Sequence, residues 1–452
     1  MVLDPSASRQ LLEQARAIHV YGKINKVVGL VAEGSGISSP LGAVCHLEPE
    51  DGAASIPAEV VGFRDGNLLL MPYGDMRGIR QGSLIRNTSL PPVFPVGPHL
   101  LGKAFDAFGA PLELSGDPTS GEAASARDWQ QASVPLYAEP PNPLLRPRIS
   151  EPLDVGVRAI NSLITLGKGQ RVGIMAGSGV GKSTLMGMMA RYTRADINVI
   201  GLIGERGREV LEFMEKDLGP EGMARSVLII ATSEKSPLVR MRAAYAATAV
   251  AEYFRDQGND VLLMMDSVTR FAMAAREVGL AVGEPPTTKG YTPTVFTQLP
   301  KLLERAGRSE KGSITGIYTV LVDGDDFNEP IADAVRSILD GHLVLTRDLA
   351  DQGHFPAIDV LRSISRLRSD ICDEQQIIDG RAITRLMATY RKVEDMINIG
   401  AYAQGSNPDI DMAIMMHQAI DDFLCQAITD QQTLDSSFTA LHALAAHTMQ
   451  QG

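Results

Sequence analysis

A mainly parallel α/β core, with a small β-barrel before it and a helical domain after it, is the fold class the sequence predicts. Three observations carry that expectation. Short β-rich runs broken by turns fill residues 23–86, apolar strand-like runs alternate with helical stretches from about Val157 to Thr346, and a helix-periodic tail without strands follows Asp370. The 452 residues leave room for about three domains of ordinary size.

Taken in order, residues 1–22 are expected to be helical. Asp4 can cap, Pro5 takes the first helical position, and Leu11, Leu12, Ala15 and Ile18 recur at helical spacing until Gly22. A packing role suits this short amphipathic stretch better than a membrane or partner anchor. Residues 23–94 are assigned to the barrel, with strand runs at 27–31, 43–47, 58–63, 68–71 and 84–86 and a hairpin signal at Asp65-Gly66. Proline clusters over residues 91–98 mark a boundary, and those over 139–152 a structured connector, because proline lacks an amide donor and fixes φ. Residues 95–370 carry the core, with strands expected at 171–176, 198–204, 226–231, 261–266, 313–322 and 342–346, each apolar enough to be buried on both faces. In residues 371–452, Ile383, Leu386, Met387, Tyr390, Val393 and Ile397 line one face of a helix ended by Gly400; a second helix starts at Asn407-Pro408, and a third covers residues 438–449.

Composition removes several function classes. A net charge of −12 without any basic run disfavours an electrostatic nucleic-acid or lipid binder. Three widely spaced cysteines, Cys45, Cys372 and Cys425, exclude a disulfide framework or a CxxC metal site and read as buried thiols. No apolar run is long enough to span a bilayer, and the start lacks the pattern of a secretory signal, so a cytoplasmic location is expected.

The chemistry concentrates in RVGIMAGSGVGKSTLMGMM, an apolar strand, a Gly-rich turn and an immediately following helix. Gly177, Gly179 and Gly181 let backbone amides approach phosphate oxygens, and the helix start adds a favourable dipole. Lys182 can neutralise the outer phosphates and Ser183 can ligate magnesium, so this is a nucleoside-triphosphate site. Ala176 stands where the full pattern has glycine, which is tolerable only with negative φ. Asp266 ends the run VLLMMD at the strand edge where α/β sheets bind ligands, suited to hold magnesium through a water. Glu205 follows the next strand at the same edge and is the candidate catalytic base. DGDDFNEP has the first and third positions of a calcium loop in Asp323 and Asp325 but Phe327 at the fifth and Ala334 at the twelfth, so a calcium site is rejected.

AGSGVGKSTL, GLIGERGREVLEF, MMDSVTRFAMAAREVGLAVGEPPTTKGYTPTVF, QLPKLLERAG and HFPAIDVLRSISR together resemble the type III secretion ATPases, in particular their flagellar export branch, relatives of the catalytic head of rotary ATP synthases. The resemblance covers nearly the whole chain. It implies a RecA-like P-loop ATPase core, ATP and Mg²⁺ as cofactors, and phosphate binding by Gly177, Ser178, Gly179, Val180, Gly181, Lys182, Ser183 and Thr184. It further implies Glu205 as the catalytic glutamate, Arg206 as the adjacent site arginine, Asp266 as the metal-coupled aspartate, Phe355 as the ring against adenine, and Arg366 as the arginine finger given to a neighbouring subunit. The implied assembly is a homo-hexamer, peripheral at the inner face of the cytoplasmic membrane, whose partners are export-gate, stator-like and stalk proteins, chaperones and cargo. GERGREV in place of the synthase form GERTREGN favours export over synthesis. The injectisome ATPase and the rotary synthase subunit remain alternatives. A nucleic-acid translocase is disfavoured, because residues 23–86 offer only Phe63 and Tyr73 as stacking rings beside the acidic Glu48, Glu50 and Asp51.

Overall fold

The computed structural model describes residues 20–49, 53–112, 132–322, 326–327 and 329–449; the helix expected over residues 4–19 and the acidic stretch 323–325 lie outside them. Strands β1 (Tyr21–Val28), β2 (Val31–Ser35), β3 (Val44–Glu48), β4 (Ile56–Arg64), β5 (Asn67–Pro72) and β6 (Leu84–Leu90) close into a barrel in the order β1-β2-β5-β4-β3-β6. Alternate residues fill its interior: Ile24, Cys45, Leu47, Ala58, Val60, Leu68, Leu70 and Ile85 pack together. The Asp65-Gly66 hairpin is as expected, with φ of 50° and 76°, the left-handed pair that a twisted two-residue turn requires.

Two expectations are corrected here. Tyr21 and Gly22 do not close a helix. They belong to β1, paired with Arg86 and Ile85, and Gly22 is needed because a Cβ would stand 2.5 Å from the Ser35 carbonyl oxygen. The run 27–31 is not one strand either. It contains the turn between β1 and β2, where Gly29 adopts φ 56°.

The central sheet orders its strands as β14 (Ile364–Ser365), β13 (Gly341–Leu345), β8 (Arg171–Ala176), β12 (Ser313–Leu321), β11 (Asp260–Asp266), β9 (Ile197–Ile203), β10 (Ser226–Ala231) and β7 (Lys103–Phe105). Neighbours are parallel from β13 across to β7, and only β14 runs antiparallel on this path. The six expected strands lie at these places to within a residue or so. The edge strands β7 and β14 were not foreseen, since two or three residues carry no legible period.

The sheet divides two cores. Along β11, Val261, Leu263 and Met265 point into a core shared with α2 (Pro237–Asp256) and α3 (Val268–Val282). Leu262 and Met264 point into the other core, shared with α1 (Lys182–Tyr192). This two-sided burial is why these strands read as continuous apolar runs. The tail helices α4 (Glu374–Asn398), α5 (Pro408–Leu424) and α6 (Leu434–Met449) close over that second core through Ile383, Met416, Ile420, Phe423 and Leu441. Their starts follow from capping: Asp373 and Gln376 form a capping box, and Asn407 caps α5 ahead of Pro408. α6 begins before residue 438 because the Thr433 hydroxyl accepts from the Ser436 amide at 3.2 Å.

Candidate active site

The phosphate loop leaves β8 at Ala176 and enters α1 at Lys182. Ala176 is a strand residue, and the positive-φ positions outside glycine are Asp65 and Lys289 among the described residues, so its methyl group costs nothing. Gly179 and Gly181 adopt φ of 80° and 84°, and no atom lies within 4 Å of where a Gly179 Cβ would stand. That is the open, left-handed backbone needed for a close anion. Val180 turns its side chain into the core and anchors the loop from below.

Two carboxylates meet Lys182. Asp266 ends β11, and Glu205 follows β9 after Gly204, whose φ of 73° turns the chain across the sheet edge. Lys182 Nζ lies 2.5 Å from Asp266 Oδ1 and 3.9 Å from Glu205 Oε1. Asp266 is buried and also accepts from the Thr319 hydroxyl on β12 at 2.7 Å. Burial first, and then the Asp266 charge, raise the Glu205 carboxyl to about 7, with Lys182 opposing the rise. A carboxyl poised near neutral pH suits general acid–base work.

The remaining expected residues divide into near and far. Ser183 is exposed in the first turn of α1, and its hydroxyl with the Asp266 carboxylate gives hard oxygen donors that fit a magnesium ion. The Ser178 carbonyl accepts from Arg347 at 3.2 Å. The Thr184 side chain bonds instead to Asp217, a half-buried carboxylate in the turn Phe213–Leu218, so only its backbone is free to face phosphate. Arg206 points outward and pairs with Glu209 at 3.1 Å rather than with Glu205. The Glu205 carboxyl in turn bonds Glu209 and, with Arg206, holds it below the usual carboxylate range. Phe355 borders the loop, 3.6 Å from where a Gly181 side chain would begin, and the residue is 45% exposed.

Arg366 is not brought to this site. Ser365 pairs with Gly341, the first residue of β13, whereas Ala176 pairs with Leu345 at the other end. Four residue steps of strand, about 13 Å, separate the two levels. Arg366 is exposed, its Nη2 donates to the Arg336 carbonyl at 3.3 Å, and no carboxylate pairs with it among the described residues. Thr319, Asp217 and Arg347 are site residues the sequence did not single out; each is brought in by sheet order or helix packing and has no motif of its own. Of the barrel rings, Phe63 is exposed while Tyr73 is buried and donates to Glu59 at 2.6 Å.

Comparison with known proteins agrees with this architecture. Residues 156–365 match the ATP synthase alpha/beta family, nucleotide-binding domain; residues 24–89 match the beta-barrel domain of the same family; and residues 372–443 match the T3SS EscN ATPase C-terminal domain. The flagellum-specific ATP synthase of Bacillus subtilis is 52% identical over 437 residues, covering 96% of this chain and 98% of that one. The type 3 secretion system ATPase of Xanthomonas euvesicatoria is 50% identical over 412 residues, covering 91% and 90%. The solved structure of the assembled ATPase EscN from the enteropathogenic E. coli type III secretion system superposes with a TM-score of 0.87 at 44% identity, over 94% of this chain and 100% of that one. A barrel, a nucleotide-binding sheet and a helical tail that all match, at such identity and over nearly the full length, leave one assignment: the chain belongs to the ATP synthase alpha/beta family, in the group formed by the flagellum-specific ATP synthases and type 3 secretion system ATPases.

Proposed function

We propose that the chain is a magnesium-dependent ATPase that works as a homo-hexamer and energises flagellar type III protein export, releasing or unfolding export substrates and chaperones at the export gate. The observation that carries the chemistry is Lys182 held between Asp266 and Glu205 at the mouth of the glycine loop. The Gly177–Thr184 backbone and the α1 dipole bind the β and γ phosphates, and Lys182 exchanges its carboxylate contact for them. Ser183 and Asp266 would hold magnesium, which when bound neutralises charge on the phosphates. Glu205, at a pKa of about 7, accepts a proton from the attacking water. Phe355, exposed beside the loop, stacks on adenine. Arg366, exposed and without a carboxylate partner among the described residues, is the finger a protomer lends to its neighbour's site.

The flagellar reading is supported by the Bacillus subtilis relative and by a flagellum-specific ATP synthase of Salmonella typhimurium, 48% identical over 94% of this chain and 93% of that one. The Xanthomonas relative keeps the injectisome ATPase as a second reading. A stalk partner is supported by the solved complex of EscN with its central stalk EscO, whose EscN resembles this chain with a TM-score of 0.84. The match of residues 372–443 to the EscN C-terminal domain favours export over a rotary synthase subunit. No described helix is long and apolar enough to cross a membrane, in keeping with attachment at the inner face through partner proteins. Deletion of the gene tests the assignment: filament assembly should stop while ATP synthesis continues, and normal filaments in the deletion strain would refute the flagellar role.

A further inference from the structure

Gln426 follows α5 and is 6% exposed. A buried primary amide needs partners for two donor hydrogens and an acceptor oxygen, and Gln426 has them all. Its Oε1 accepts from the Arg158 amide at 2.8 Å, and its Nε2 donates to the Gly156 carbonyl at 2.8 Å and the Asp430 carbonyl at 2.6 Å. Its own backbone N–H donates to the Phe355 carbonyl at 2.9 Å. One residue of the helical tail thus joins the entry of the nucleotide-binding domain to the main chain of Phe355. Arg158 braces the joint from the other side. Its Nε and Nη2 donate to the Phe423 and Cys425 carbonyls, both at 2.6 Å, where α5 leaves carbonyls without helical partners.

We propose that Gln426 is a positioning residue for the nucleotide base: its side-chain bonds to Arg158, Gly156 and Asp430 fix the main chain at 426, whose N–H in turn holds the Phe355 carbonyl and sets the ring at the level of the phosphate loop. Stacking needs the ring within contact distance and parallel to the base, and a side chain keeps such a pose only when its backbone is fixed by its surroundings. Gln426 acts through Phe355 and not on the phosphates, which the loop binds by itself. The proposal rests on Phe355 being the ring that meets adenine.

Calorimetric titration of the full chain with Mg-ATP and with Mg-tripolyphosphate, which has the phosphates but no base, separates these contributions. Gln426→Met, of similar length but without the amide's bonds, should weaken Mg-ATP by about tenfold, the size of one lost stacking contact, and leave tripolyphosphate within about twofold. Phe355→Ala should do the same, and the double variant should be no worse than Phe355→Ala alone. Equal weakening of both ligands by Gln426→Met would show that Gln426 only holds the domains together and would overturn the proposal, as would no weakening of either. Should Gln426→Met fail to fold by circular dichroism, Gln426→Asn, whose shorter amide cannot span the same carbonyls, is held to the same two outcomes. A Phe355→Ala chain with an unchanged ATP to tripolyphosphate ratio would sink the adenine reading itself; a changed ratio there beside an unchanged one in the Gln426 variant would sink only the role of Gln426.

Discussion

Glu205, the proposed base, is placed to act at neutral pH. It lies close enough to Lys182 for attraction, yet burial and the Asp266 charge hold its carboxyl near 7. Glu205→Gln keeps the shape and removes the base, so ATP affinity should stay nearly unchanged while turnover falls by about 10²- to 10⁴-fold. Steady-state hydrolysis beside a nucleotide titration measures both, and normal turnover would refute the base. The same carboxyl makes a second, independent prediction about stability. Its folded pKa is raised, so between the unfolded value near 4.5 and about 7 the unfolded chain loses the proton first, and stability falls as pH rises through that window. Glu205→Gln lacks this loss. The nucleotide-free variant should therefore melt above the native chain at pH 8, and its advantage should shrink on acidification through 7; melting curves at several pH values decide it. Arg206, implied by the resemblance to be a site arginine, shows the limit of adjacency: a place next to Glu205 along the chain gives no direction to a long exposed side chain, and here it turns to Glu209.

Among the elements, the strand–loop–helix of the phosphate site was legible from its residues, since glycine spacing and a following lysine have few other uses. Gly181 shows the requirement most directly: with φ 84° beside the Phe355 ring, an alanine there is forced into the left-handed region. Gly181→Ala should cost about 1 to 2 kcal/mol of loop conformation, hence roughly tenfold in ATP affinity, read by nucleotide titration. The Asn407-Pro408 start of α5 was equally readable, whereas the capping box that starts α4 was not singled out. Asp373 accepts from the Gln376 amide at 2.8 Å while Gln376 returns the bond at 3.0 Å. Asp373→Ala should loosen the first turn of α4 by about 1 kcal/mol, seen as about fivefold faster amide exchange at Gln376. Elements were misjudged where one residue type serves two purposes: Gly22 resembles a helix stop but is a strand residue under close approach, and Gly29 splits an apolar run that looked continuous.

For the whole molecule, the placement of Arg366 matters most. It stands at the amino end of the parallel strands, away from its own phosphate loop, so it can serve catalysis only in another protomer's site. Arg366→Ala should bind ATP normally and lose the rise in specific activity with protein concentration, with turnover falling by about 10³-fold or more. A variant that keeps the rise would place the finger elsewhere. The tail helices belong to this scale too. They share the core beneath the phosphate-loop helix through Ile383, Ile420 and Leu441, so they are built into the catalytic body and not merely appended to it.

What the sequence alone determined is local: the apolar runs of the sheet, the glycine loop with Lys182 and Ser183, the acids Glu205 and Asp266 at strand ends, and the helical periodicity of the tail, because each depends on spacing within about ten residues or on one strand's end. What only the tertiary structure decided is the company those residues keep. Strand order put Thr319 on Asp266, helix packing turned Thr184 to Asp217, and the tail brought Gln426 to Phe355. Contacts between residues tens to hundreds of positions apart follow from how sheet and helices stack, and no local period in the chain encodes them.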